Sequence, residues 1–160
     1  MIGERKDECG GSVYYDLFGE LGAYVPKPDL AEAERQIFAL TDAIDAGLVL
    51  SAHDISDGGL ATALAEMSFR REIGCTVTIP PPYEGGVGGG LKALFSETGG
   101  FVIEVIPQNN KQVREIFRKH GIEPVLIGRT TEKKILLMND LNIELKVAKE
   151  RWINGLREKL

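Results

Sequence analysis

The sequence predicts an α/β chain of the α+β type, with a mixed β-sheet packed against α-helices. Three observations carry that expectation. Segments with apolar residues at three- and four-residue steps alternate with short apolar or alternating runs, which reads as helix followed by strand. The connections mix long crossovers with hairpin-length turns, and this favours a mixed sheet over a purely parallel one. The chain has 160 residues, of which 43% are hydrophobic and 27% charged, enough apolar content for a core without metals or disulfides. One domain over 1–160 is expected, with a leading segment 1–24 and a main body 25–160.

Along the chain, Ser12 stands where it can cap a short helix through Val13–Phe18, with Gly19 or Gly22 ending it. Val25-Pro26-Lys27-Pro28 reads as a rigid extended connection. Asp29 then occupies an N-cap position with Glu32 three residues on, the capping-box spacing. Leu30, Ala33, Ile37, Leu40 and Ile44 predict an amphipathic helix from Asp29 to Ala46, closed by Gly47. Leu48–Ala52 suits a buried strand, and a helical period returns from Leu60 to about Glu72, with Gly74 as the stop. Cys75–Ile79 alternates as a strand ended by Pro80-Pro81-Pro82.

Tyr83–Gly90 reads as a glycine-rich surface loop; it lacks the Gly-Lys-Ser or Gly-Lys-Thr ending of a phosphate-binding P-loop. One or two helical turns follow over Leu91–Phe95, then a turn over Ser96–Gly100 and a strand over Phe101–Ile106. Asn109 or Asn110 caps a helix running to His120, with Gly121 after it. Val125–Gly128 and Lys134–Met138 are expected strands, joined by the polar segment around Thr130-Thr131-Glu132. Leu141–Ile143 suits an edge strand, and Glu144–Leu160 a last amphipathic helix.

Charge and cysteine content narrow the function classes. Nineteen Lys and Arg against 24 Asp and Glu give a net charge of −5. That balance opposes sequence-independent nucleic-acid binding, which needs a basic face. No apolar run reaches the roughly 20 residues of a membrane-spanning helix, and the charged N-terminus is unlike a signal peptide. Cys9 and Cys75 lack zinc-ligand spacing, so two reduced thiols in a cytoplasmic protein are expected.

The most informative segment is Ala52-His53-Asp54-Ile55-Ser56-Asp57-Gly58-Gly59-Leu60. It places two carboxylates, an imidazole, a hydroxyl and two glycines at a strand-to-helix junction, where open α/β sheets place ligands. Amides left open by Gly58 and Gly59, with the helix dipole, suit an anion such as phosphate. The plainer alternative is a tight turn in which Ser56 or Asp57 caps the helix and the glycines serve close packing. Asp54 and Asp57 also have the chemistry to hold Mg²⁺ through phosphates. Ser96 and Glu97 lie before a glycine pair and a strand, either as ligand contacts or as a solvated turn.

Ser51–Ala61 with Ala63-Leu64-Ala65-Glu66-Met67 closely resembles the final domain of the phosphoribosylformylglycinamidine synthase family, synthetase subunit. Ile2-Gly3-Glu4, Asp7–Tyr14 (with Cys9 where the family commonly has Leu), Leu94–Glu97 and Phe101–Val105 resemble it in the same order. The resemblance implies a fold like the aminoimidazole ribonucleotide synthetase C-terminal domain. It implies a place in de novo purine synthesis, making formylglycinamidine ribonucleotide from formylglycinamide ribonucleotide, ATP and glutamine-derived ammonia, with Mg²⁺.

By the same resemblance, the catalytic histidine and the main ATP and Mg²⁺ groups belong to domains outside these residues. No catalytic or metal residue is therefore assigned here, and the isolated domain is expected to be inactive. His53, Asp54, Ser56, Asp57, Gly58, Gly59, Ser96 and Glu97 remain ligand- or phosphate-binding candidates. Implied partners are the N-terminal domains of the same synthase, a glutaminase subunit and a small accessory subunit. The isolated domain is expected to self-associate, and no nucleic-acid or membrane partner is expected. In the equivalent domain of the family's first half, a Glu-Ser-Gln sequence contacts substrate; here Thr98 and Gly99 replace Ser and Gln. The alternatives are a non-catalytic binding or assembly module, or a domain of a relative such as selenophosphate synthetase, thiamine monophosphate kinase or a hydrogenase maturation protein.

Overall fold

The structure, a computed structural model, describes residues 1–79 and 89–155. The elements in order are α1 (Val13–Asp16), α2 (Leu30–Asp45), β1 (Ser51–Asp54), α3 (Gly59–Phe69), β2 (Gly74–Val77), α4 (Gly89–Phe95) and β3 (Phe101–Glu104). A 3₁₀ turn over Pro107–Asn109 leads into α5 (Asn110–Lys119), followed by β4 (Gly128–Thr131), β5 (Ile135–Met138), β6 (Leu141–Glu144) and α6 (Leu145–Asn154). The expected α+β arrangement is present. β4-β2-β5-β6 form a mixed sheet in which β2 and β5 run parallel and the outer pairs antiparallel. β1 and β3 form a separate antiparallel ribbon, to which Ile2 adds a bridge at Phe101.

Helix α1 is capped as expected, with the Ser12 hydroxyl accepting from Tyr15 N–H. Asp29 caps α2 by accepting from the amides of Ala31 and Glu32, both at 3.0 Å. Glu32 does not complete the reciprocal box; its side chain accepts from Gln36 Nε2 at 2.8 Å. The face that α2 buries also differs from the one predicted. Gln36, Ala39, Leu40 and Ala43 turn inward, whereas Leu30, Ile37 and Ile44 are exposed. At 3.6 residues per turn, the buried face lies about a quarter-turn from the predicted one.

Three boundaries move for physical reasons. β1 runs through His53 and Asp54 because these residues pair with Val102 and Phe101 across the ribbon. α3 stops at Phe69, and the left-handed residue after it is Glu72 at φ 53°, not a glycine. Gly74 serves close approach inside β2: a Cβ there would lie 2.0 Å from the Lys133 carbonyl oxygen. β4 occupies the polar Gly128–Thr131 segment, not Val125–Gly128, because Thr130 and Thr131 find partners in Cys75 and Gly74. The expected glycine loop at 83–90 lies mostly outside the described residues, as does the last part of the expected terminal helix.

Two apolar clusters result. One joins α3, β2, α4, β5 and the start of α6 around Leu60, Leu94, Leu136 and Leu145. The other joins Ile2, α2 and α5 around Ala39, Ala43 and Phe117. The β1–β3 ribbon is their common wall, since Val102 enters the first cluster while Phe101 and Ile103 pack on the second. Cys9 and Cys75 are free and buried. No described helix is long and apolar enough to cross a membrane.

Candidate functional site

The junction predicted to carry chemistry lies between β1, the start of α3 and the turn at residues 96–100. His53 projects from β1, and its Nε2 lies 3.0 Å from Glu66 Oε2 on α3. Its Nδ1 lies 2.6 Å from the Asp54 carbonyl oxygen and 3.4 Å from the Asp54 carboxylate. Glu66 in turn accepts from Trp152 Nε1 at 2.8 Å, so a polar chain ties β1 to α3 and α6. Glu66 is the single charge in α3, a sequence signal that points to a partner and that the motif reading passed over.

Gly58 is the N-cap of α3, in the left-handed region at φ 76°, with no side-chain cap from Ser56 or Asp57. The Gly59 amide donates to the Ser56 carbonyl at 2.9 Å, and the Gly58 amide donates to Glu97 Oε1 at 2.8 Å. The same Glu97 oxygen accepts from Val13 N–H at 3.0 Å. One carboxylate therefore sits at the starts of two helices, in the position where an anion would be attracted. A phosphate reaching the Gly58 amide in this conformation has to displace Glu97.

Gly59 has a packing reason as well. A Cβ there would lie 2.6 Å from the Leu94 carbonyl oxygen and 2.8 Å from Phe95 Cα. The start of α3 is thus seated on the backbone of the end of α4. Asp54 and Asp57 are exposed beside this junction. Among the described residues, no group of three His, Cys, Asp or Glu side chains is placed to hold a metal ion.

Ser96 is fully buried, and its hydroxyl meets the Glu8 carbonyl at 3.4 Å and the Thr98 hydroxyl. Its carbonyl accepts from Arg5 Nη1 at 3.3 Å, while Arg5 Nη2 donates to the Gly99 carbonyl. Arg5 is 4% exposed, and burial lowers its pKa to about 10. Its Nε has no hydrogen-bond partner. Sequence reading did not single out Arg5, because a lone arginine among leading charged residues carries no spacing signal. The structure thus brings His53, Asp54, Ser56, Asp57, Gly58, Gly59 and Glu97 to one junction. Ser96 faces the other way, into the packing under the leading segment.

This geometry holds and orients. His53 is fixed between carboxylates, Glu97 fixes α1 and α3, and no nucleophile is set beside a base among these groups. The PurL subunit of phosphoribosylformylglycinamidine synthase from Methanothrix thermoacetophila is 35% identical over 99% of this chain, which covers 21% of that protein. The major tegument protein of Epstein-Barr virus is 32% identical over 78% of the chain and 9% of its own length.

Two Thermotoga maritima PurL structures, complexed with FGAR and with ATP, are 21% identical and share the fold at TM-scores of 0.67 and 0.63. They align over 84% and 81% of this chain and 24% and 23% of their own. The chain therefore spans about a fifth of the length of the PurL relative it matches. Residues 2–138 match the AIR synthase related protein, C-terminal domain, and the chain belongs to that family.

Proposed function

We propose that this chain is one domain of a phosphoribosylformylglycinamidine synthase and works only with the rest of that enzyme. The synthase converts formylglycinamide ribonucleotide, ATP and glutamine-derived ammonia to formylglycinamidine ribonucleotide, in the cytoplasm, for purine synthesis. The observation that carries this reading is the 35% identity to a PurL subunit over 99% of the chain. ATP and Mg²⁺ belong to the remainder of the enzyme. Glu97 already occupies the helix-start amide that a phosphate would use. This domain's own part is to hold its neighbours in register. Its partners are the N-terminal domains of the synthase, a glutaminase subunit and a small accessory subunit.

A second reading, a non-catalytic assembly module, draws support from the likeness to a viral tegument protein. The deciding experiment assays the 160-residue chain with formylglycinamide ribonucleotide, Mg·ATP and ammonia, alone and in the native gene product. Activity is expected only in the native product. Turnover by the chain alone, on the order of 1–1000 per second as for typical enzymes, overturns the first reading. A native product without ammonia-dependent activity supports the second.

A further inference from the structure

Charge and exposed apolar surface coincide in one stretch of this chain. Of the nineteen large apolar residues exposed among the described residues, eleven lie between Val13 and Leu50. The same stretch holds seven acidic and two basic residues, while the rest of the chain is balanced at seventeen of each. The whole net charge of −5 therefore belongs to the segment that leaves apolar side chains open.

Helix α2 organises this surface. Leu30, Ile37 and Ile44, spaced by seven residues, are 77%, 52% and 49% exposed, with Phe38 at 55% beside them. Seven residues is close to two turns, so the three form a row along the outer side of the helix. Helix geometry places Glu34 and Asp45 between that row and Phe38. Both carboxylates are exposed, and neither has an ion-pair partner among the described residues.

We propose that this face of α2 is a docking surface for an apolar helix flanked by Lys or Arg, supplied by another part of the synthase. Covering the row removes Glu34 and Asp45 from water, and a buried unpaired carboxylate is costly. A second copy packed two-fold through α2 brings a helix with four acids, Glu32, Glu34, Asp42 and Asp45, and one base, Arg35, so the repulsion of like charges prevails. Nucleic acid and anionic membrane surfaces are repelled for the same reason. A basic-flanked helix satisfies both the apolar row and the acids. The assignment to the synthase rests on the proposed function and on the chain's spanning only 21% of its PurL relative.

The test uses the native gene product in its own cells, with Phe38 replaced by the photoreactive p-benzoylphenylalanine, and with Leu126, exposed outside the stretch, replaced in a control. The cross-linked peptides are then sequenced. The expected product at position 38 is an apolar helix of the synthase bearing Lys or Arg on its flanks, absent from the control. Glu34→Lys with Asp45→Lys should lower its yield at least tenfold while the circular dichroism of the chain stays unchanged. A cross-link to a second copy of α2, to a surface without basic residues, or to nothing overturns the proposal, as does a yield indifferent to the charge reversal. Ammonia-dependent synthesis by the same preparation is scored separately. Its absence with the basic helix cross-linked overturns the synthase reading and leaves the surface in place.

Discussion

Glu97 shows how a single side chain can answer a question that a glycine motif raises. Open amides at the start of α3 attract an anion, and the chain supplies one itself, with one carboxylate oxygen shared between Gly58 and Val13. Glu97→Ala leaves both amides without that partner and should cost about 1.5–3 kcal/mol, the range for hydrogen bonds to a charged group. Glu97→Gln keeps an acceptor oxygen and should cost less. Urea midpoints for the two variants give the comparison, and equal, negligible shifts would show that Glu97 holds neither helix. Cys75 makes a second residue-scale prediction. Burial raises its pKa from the ordinary 9.0 to about 11. Between those values the unfolded chain gives up a proton that the folded chain keeps. Stability is therefore full below pH 9 and falls as pH rises through about 11, by roughly 1.4 kcal/mol per pH unit. Urea midpoints from pH 8 to 11 should show this decline in the wild type and lose that component in Cys75→Ala. Parallel curves for the two proteins would refute it.

At the scale of elements, what the sequence reveals is what local chemistry decides. Ser12 and Asp29 announce their helices because a side-chain oxygen within reach of the next amides is a local event. The orientation of α2 is not local. Its two candidate faces are both apolar, and the one that faces the core is chosen by the fit of the small Ala39 and Ala43 against Phe117. The larger residues Leu30, Ile37 and Ile44 dominate the periodic signal and are the ones left outside. The strand expected at Val125–Gly128 moves to β4 for a related reason: Gly-Arg-Thr-Thr has no apolar alternation, and its pairing with β2 defines it. At the site, the motif places six candidate residues between His53 and Gly59 at one junction, and the fold adds Glu97 to them. Glu66 and Arg5 escaped because their partners, His53 and the Ser96 and Gly99 carbonyls, lie 13 to 94 residues away in sequence.

At the scale of the whole molecule, the issue is whether two apolar clusters make one cooperative unit. The cluster around Phe117 and that around Leu136 share the β1–β3 ribbon, and alternate side chains of β3 enter each. A strand cannot keep one face packed while the other melts without losing the pairing that fixes both, so unfolding should be a single transition. Trp152, the one tryptophan, contacts Phe69 on the first cluster's side, far in sequence from Phe117. Phe117 is fully buried in the second. Phe117→Ala deletes most of a core ring and should cost about 3–5 kcal/mol. If the ribbon couples the clusters, Trp152 fluorescence and far-ultraviolet circular dichroism should shift to the same lower urea midpoint in that variant. If the tryptophan midpoint stays at the wild-type value while the dichroism splits into two steps, the clusters unfold independently. The ribbon would then be a contact between two units, and His53, whose backbone lies in it and whose ring is held by Glu66, would sit on the boundary.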